Sequence, residues 1–281
     1  MVTCFIHFII SIMKNQFTLA HKRDRKPILF LISLLIITSG HSLCSQDARE
    51  IAEKASGIIE FESMEMKSTL FIHDNRGNVR ERKVVVATRE FGETTKTLLK
   101  FISPADVSGT TMLIYDYEDK QDDMWLYLPS LRRTRRIVSS EKGKSFMGSE
   151  FTNADMGKPN LNDFNYKLTG TSEIEQKNCW KIESVCKDEN IAAENGFKSK
   201  IAYIEKNNYL THKVEYYDQN NELFKIMTIS AYKKQTNGKF FAYTMEVRNL
   251  QSNRRSVMQV DAFQLGSNLM EEHFSPTNLG K

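Results

Sequence analysis

The sequence predicts a mainly β protein, one curved antiparallel sheet preceded by a single amphipathic helix. Three observations carry that prediction. Short strand-like runs succeed one another from Met64 onward, separated by polar turns of hairpin length. Only one long segment, Asp47–Phe61, has helical periodicity. No linker rich in Pro, Gly or Ser divides the chain, so 45–281 reads as one domain in which the sheet curves into a barrel or sandwich.

Residues 1–44 read as a leader rather than as part of the fold. Lys22, Arg23, Arg25 and Lys26 form a basic region, Ile28–Ile37 is apolar but for Ser33, and Thr38, Ser39, Gly40 and Ser42 are small. That is the order of a secretory signal peptide. The run is shorter than the roughly 20 apolar residues that span a bilayer; a permanent anchor is the alternative. The expected cut follows Cys44, and Met13 before Lys14 is a better start than Met1. Cys44 also allows a lipid-modified N-terminus, although bulky Leu43 stands where a lipobox has a small residue. The chain has 39 basic and 35 acidic residues; without the leader, 34 of each remain. That balance argues against nucleic acid as a partner.

In Asp47–Phe61, Ala48, Ile51, Ala52, Ala55, Ile58 and Ile59 form one stripe, and Asp47 with Glu50 reads as a capping box. The stripe fits a helix packed on a sheet, or one that plugs the mouth of a cavity. Strands are expected at Met64–His73 and Val79–Phe91 around the turn Asp74–Asn78, then at Thr94–Ile102, Thr111–Tyr117 and Met124–Leu128. Met64, Met66, Ser68, Leu70 and Ile72 share a face. Seven more strands follow, near Asn165–Thr171, Cys179–Val185, Ser199–Glu205, Leu210–Asp218, Phe224–Tyr232, Lys239–Arg248 and Ser256–Leu265. Cys179 and Cys186, seven residues apart on one strand, are more than about 20 Å apart and expected to be free, buried thiols.

Several strands are apolar on both faces: Trp125 and Tyr127 point one way, Met124, Leu126 and Leu128 the other. A sheet lining an apolar cavity needs this pattern, and an ordinary sandwich core with some exposed aromatics also produces it. Arg132, Arg133, Arg135 and Arg136 follow, either as a solvated hairpin edge or as a fork for an anionic head group. No catalytic or metal-binding spacing is found. His73, His212 and His273 lie on separate segments, and the acids Asp122, Asp123, Glu150 and Asp155 read as solvated loop residues.

The stretch Trp125–Ile137 (WLYLPSLRRTRRI), followed by Ser145–Met156 (SFMGSEFTNADM), resembles the outer-membrane lipoprotein-sorting protein family, the LolA-like group of periplasmic carriers. The loop Pro104–Thr110 and the closing Glu272–Pro276 fit as well; similarity in sequence covers 102–156, and the remainder agrees in pattern. The resemblance implies a half-barrel closed by a helical lid and a carrier rather than an enzyme, without metal or cofactor. Its cargo would be the acyl chains of lipoproteins or lipids, its location the periplasm, with transient membrane contact. An inner-membrane RND-type or ABC exporter is the implied partner. The resemblance nominates Trp125, Tyr127, Arg136, Phe146, Met147 and Phe151 as ligand-binding positions, with Leu126 and Leu128 on the inward face of the same strand. An interaction module that docks an acidic or membrane-exporter partner through the Arg132–Arg136 hairpin is the alternative. An exported hydrolase would need a nucleophile or metal the sequence does not offer.

Overall fold

The computed structural model describes residues 40–280 other than residue 267, with side chains from Ala48 onward. The expected basic region and apolar run of the leader lie outside the described residues. The helix α1 spans Gly40–Gly57. The N-terminal strands are β1 (Ser63–His73), β2 (Val79–Phe91), β3 (Thr94–Ser103), β4 (Thr111–Tyr117), β5 (Asp123–Leu128) and β6 (Arg133–Ile137). A crossover carries the one-turn helix α2 (Ser139–Lys142). The C-terminal strands are β7 (Phe164–Ile174), β8 (Lys177–Cys186), β9 (Ser199–Glu205), β10 (Thr211–Tyr217), β11 (Leu223–Lys234), β12 (Phe240–Asn249) and β13 (Arg254–Leu265), with α3 (Glu189–Asn195) between β8 and β9.

All thirteen strands form one antiparallel sheet in the order β6-β5-β4-β3-β2-β1-β13-β12-β11-β10-β9-β8-β7. Two hairpin meanders are thus joined by the pairing of β1 with β13, where Met64 faces Leu265 and Leu70 faces Met258. The sheet is open. Its edges β6 and β7 do not pair, so it is not a closed barrel. Among the described residues no helix is long and apolar enough to cross a membrane.

The strand pattern predicted from alternation holds closely, with β2, β4 and β9 at the expected residues. Turn chemistry explains why. At the β1–β2 turn, Asp74 accepts hydrogen bonds from the N–H groups of Arg76 and Asn78 at 2.8 and 2.9 Å, and Gly77 takes the left-handed conformation the turn requires.

The helix differs from its expectation. It starts at Gly40, so Asp47 lies inside it and is not its N-cap. Nothing between Ser42 and Gln46 breaks a helix, and Glu50 pairs with Lys54 one turn on, at 2.7 Å. The helix stops at Gly57 rather than Phe61, since glycine is the costliest common residue to keep helical. Four residues of its stripe are placed as predicted: Ala48 and Ala55 are buried, and Ile51 and Ala52 pack against the core on the inner face of the sheet; Ile58 and Ile59 lie beyond the helix, and Ile59 is exposed.

Short helix α3 carries signals too local for a periodicity search. Asp188 accepts from the Ile191 N–H at 2.9 Å, and Gly196 closes the helix in the left-handed region. A Cβ on Gly143 would lie 2.5 Å from the Ala193 carbonyl oxygen, so this glycine lets α2 and α3 approach.

Candidate functional site

Alternation along the strands puts two kinds of surface on the sheet. Inward from the N-terminal meander point Met66, Leu70, Val86, Leu99, Phe101, Met112, Ile114 and Met124, all part of the main core. Where α1 crosses that face the packing does not fill the space. A cavity of about 710 Å³ remains. That is within the range of small-molecule sites, about 300–1,000 Å³. Its wall includes Ala52, Ala55 and Ile59 from the helical region, and Met66, Ile182, Ala202, Met227, Met245 and Met258 from the strands. Methionine recurs there because an unbranched thioether adapts to an irregular contour.

The wall also carries Glu60, Asp116, Asp155, Lys158 and Lys200, and three further charged residues gather at one end. Glu62 precedes β1, Glu90 ends β2 and Lys239 precedes β12, so all three stand at one end of the strands. Phe61, Phe241 and Phe263 cluster at the same end; the rings of Phe241 and Phe263 stack with centroids 3.9 Å apart. At the opposite end the Phe146–Phe151 turn seals the core. The Phe146 N–H donates to the Phe151 carbonyl at 2.8 Å, the Glu150 N–H donates to Ser256 Oγ at 2.9 Å, and Arg82 donates to the Met147 carbonyl. Met147 and Gly148 both adopt positive φ, which lets this compact turn form.

A second cavity of about 330 Å³ shares the segment Asp155–Pro159, together with Lys200, Tyr216 and Met227, with the first. It is the more polar of the two: Asp122, Lys142, Asp163 and Glu194 line it. Lys142 lies 3.7 Å from Glu194, and Lys225, nearly inaccessible, lies 3.5 Å from Asp155. Burial raises the pKa of Asp116 to about 7, with the neighbouring Asp122 adding to the effect; the Lys158 N–H, donating to Asp116 at 2.9 Å, opposes it. Burial likewise raises Asp122 and Asp163. Asp122 and Asp155 are therefore not solvated loop acids as the sequence suggested; Asp122 accepts from the Tyr117 N–H at 3.2 Å, and Asp155 is the counter-charge to the buried Lys225.

The eight residues nominated from sequence are dispersed. Trp125 and Tyr127 face outward, where Trp125 meets Tyr115 edge-on at 4.9 Å. Leu126 packs against the inner core, and Leu128 is half-buried at the end of β5. Phe146 is fully buried against Phe101, and Met147 packs on the same core. Arg136 is exposed and pairs with Asp123. Phe151 lines the smaller cavity, and none of the eight lines the larger one. Residues that do line it, such as Met227, Met245 and Met258, lie in the C-terminal strands, where no motif marks them. Their only signal was apolar character at inward positions of β11, β12 and β13.

The thiols of Cys179 and Cys186 are unpaired; Cys179 is buried and Cys186 half-buried, at opposite ends of β8. Burial raises both, Cys186 to about 11. Among the described residues no group of three or more His, Cys, Asp or Glu is placed to hold a metal ion.

Comparison with solved structures places the fold. A domain from Vibrio parahaemolyticus, provisionally named an outer membrane lipoprotein-sorting protein domain, is similar at 26% identity and a TM-score of 0.79, covering 84% of this chain and 100% of that one. A DUF1329 family protein from Desulfovibrio piger is similar at 24% identity and a TM-score of 0.78, covering 84% and 99%. A LolA superfamily protein from Nitrosomonas europaea is similar at 18% identity and a TM-score of 0.64, covering 81% and 97%. No curated protein matches. The open sheet with its crossing helix is thus the LolA-like fold that the Trp125–Met156 stretch resembles. A family model described as "-like: Uncharacterized protein" matches residues 93–281, well over half of the sequence, and the chain belongs to that family.

Proposed function

We propose that the chain is a periplasmic carrier that takes the acyl chains of lipoproteins or lipids into its larger cavity and moves them toward the outer membrane. The observation that carries this reading is the unfilled space of about 710 Å³ between α1 and the inner face of the sheet, with a wall rich in methionine and aliphatic side chains. Such a wall suffices for an acyl chain, since each buried CH₂ contributes about 0.8 kcal/mol without any polar contact. The name of the Vibrio parahaemolyticus domain agrees with it. In this reading 1–44 is the export signal, 45–281 is the working domain, and no chemical step is required.

The test fills the cavity. Ala202, on the wall, is replaced by tryptophan. Uptake of a fluorescent fatty acid is expected to fall at least tenfold while the protein stays folded, because the new side chain occupies existing space. Unchanged uptake by a folded Ala202→Trp variant would remove the cavity from the mechanism.

One observation favours a second role. Arg132 and Arg133 are exposed at the β5–β6 hairpin, and no ion pair engages either among the described residues. They remain available to an acidic partner such as an inner-membrane exporter, while Arg135 and Arg136 are held by Glu141 and Asp123.

A further inference from the structure

Four lysines stand at or near the two cavities, and they differ in one respect. Lys142 has Glu194, Lys158 has Glu60, and Lys225 has Asp155. Among the described residues Lys200 has no carboxylate within ion-pairing distance, and its ammonium makes no hydrogen bond. It lines both cavities. Its nearest company is aromatic: Nζ lies 4.9 Å from the centre of the Phe164 ring and 5.4 Å from that of Phe197. The ring faces partly replace lost hydration, as cation–π contacts do, but they do not neutralise the charge.

The acid nearest in electrostatic terms is Asp155, and it is already engaged. Its carboxylate accepts from the Thr152 N–H at 2.7 Å and from Lys225 at 3.5 Å. Lys225 in turn lies over the Tyr216 ring at 4.3 Å. Asp155 and Lys225 pair with each other, so neither neutralises Lys200. Lys200 is half-buried, and even a partly buried charge without a counter-ion is costly. Burial accordingly lowers the pKa of Lys200.

We propose that Lys200 binds the anionic head group, carboxylate or phosphate, of an amphiphile whose chain fills the apolar cavity. This rests on the carrier reading and deepens it, choosing between its two cargoes an anionic lipid over a lipoprotein anchor. The placement fits. Lys200 begins β9, beside Ser184 at the end of β8 and Tyr216 at the end of β10, away from the charged rim of Glu62, Glu90 and Lys239. An extended chain would run along the methionine wall toward that rim, and the head group would lie where the apolar cavity meets the polar one.

The experiment uses the delipidated chain and three probes with one oleoyl chain each: oleate, oleoyl lysophosphatidate and the uncharged monoolein. Affinities are measured calorimetrically for the wild type, Lys200→Met and Lys200→Arg. The wild type is expected to bind at least one anion tenfold or more tighter than monoolein; the tighter anion identifies carboxylate or phosphate. Lys200→Met is expected to erase the preference by weakening the anion and leaving monoolein unchanged, and Lys200→Arg to keep it. A wild type that binds all three probes alike overturns the inference and leaves the carrier reading intact, and needs no variant to fold. A preference that survives Lys200→Met overturns it too. A wild type that binds none of the three removes the carrier reading itself.

Discussion

On strands β3 to β5 successive side chains go to two different places. Outward, Leu98, Leu113, Tyr115, Trp125 and Tyr127 meet the C-terminal segment, whose Phe274 and Leu279 are buried against them. That segment is strapped down. Arg89 donates to the Leu269 carbonyl, Tyr115 donates to the Phe274 carbonyl, and Lys96 meets Glu271 at 2.6 Å. Inward, Thr97 and Leu99 look onto open space and Met112, Ile114 and Met124 onto the core beside it. The same backbone thus carries a filled face and an unfilled one. The filled face uses rings, whose fixed shape suits a permanent cover; the wall of the unfilled space includes Met227, Met245 and Met258 from the facing strands, whose flexible side chains can re-pack around a guest.

The largest expected effect lies on the filled face. Phe274 is fully buried, and Phe91 meets it edge-on at 5.5 Å. Phe274→Ala should cost about 3–5 kcal/mol, read as a fall in the urea midpoint. If the two faces act separately, the folded variant takes up fatty acid as the wild type does. Loss of uptake in a folded Phe274→Ala protein would show that the tail supports the cavity, and the contrast between the faces would fail.

The next effect belongs to the unfilled face. Asp116 lines the cavity with a pKa raised to about 7. An acid with a raised folded pKa holds its proton longer in the native state than in the unfolded one. The native state therefore binds more protons between about pH 4 and 7, and stability falls as pH rises through that window and levels off above it. Asp116→Asn can still accept from the Lys158 N–H and carries no charge. It should flatten that slope and stabilise the protein at pH 8 by at most roughly 4 kcal/mol, the equivalent of the shift. Denaturation at pH 5 and pH 8 checks it: equal slopes in wild type and variant would mean that Asp116 does not titrate in this window.

The strands were readable because each alternates over enough residues to declare its faces, and because turns such as Asp74–Asn78 carry their own chemistry. The site was not readable in the same way. The most distinctive stretch, Trp125–Met156, owes its residues largely to packing: Trp125 under the C-terminal tail, Phe146 and Phe151 in a turn that seals the core. The cavity wall is assembled from Met66, Ala202, Met227, Met245 and Met258, one or two inward positions per strand across the sheet, and only the register brings them together. Lys200 belongs to no motif; its half-buried place between the cavities follows from the packing of Phe164 and Phe197 around it, which no local pattern encodes.

The smallest expected effect concerns neither face. Arg132 sits in the left-handed region after the Pro129–Leu131 turn, and with Arg133 it projects at the free edge of the sheet. Replacing both by glutamate removes no ion pair, so the thermal midpoint and fatty-acid uptake should both stay at wild-type values. A midpoint lowered by several degrees would instead make the hairpin part of the structural frame that holds β5, and with it the outward Trp125 and Tyr127. With stability and uptake unchanged, any loss of cargo transfer between inner and outer membrane vesicles isolates the hairpin as a docking surface, because the cavity would still be loaded and only the delivery would fail.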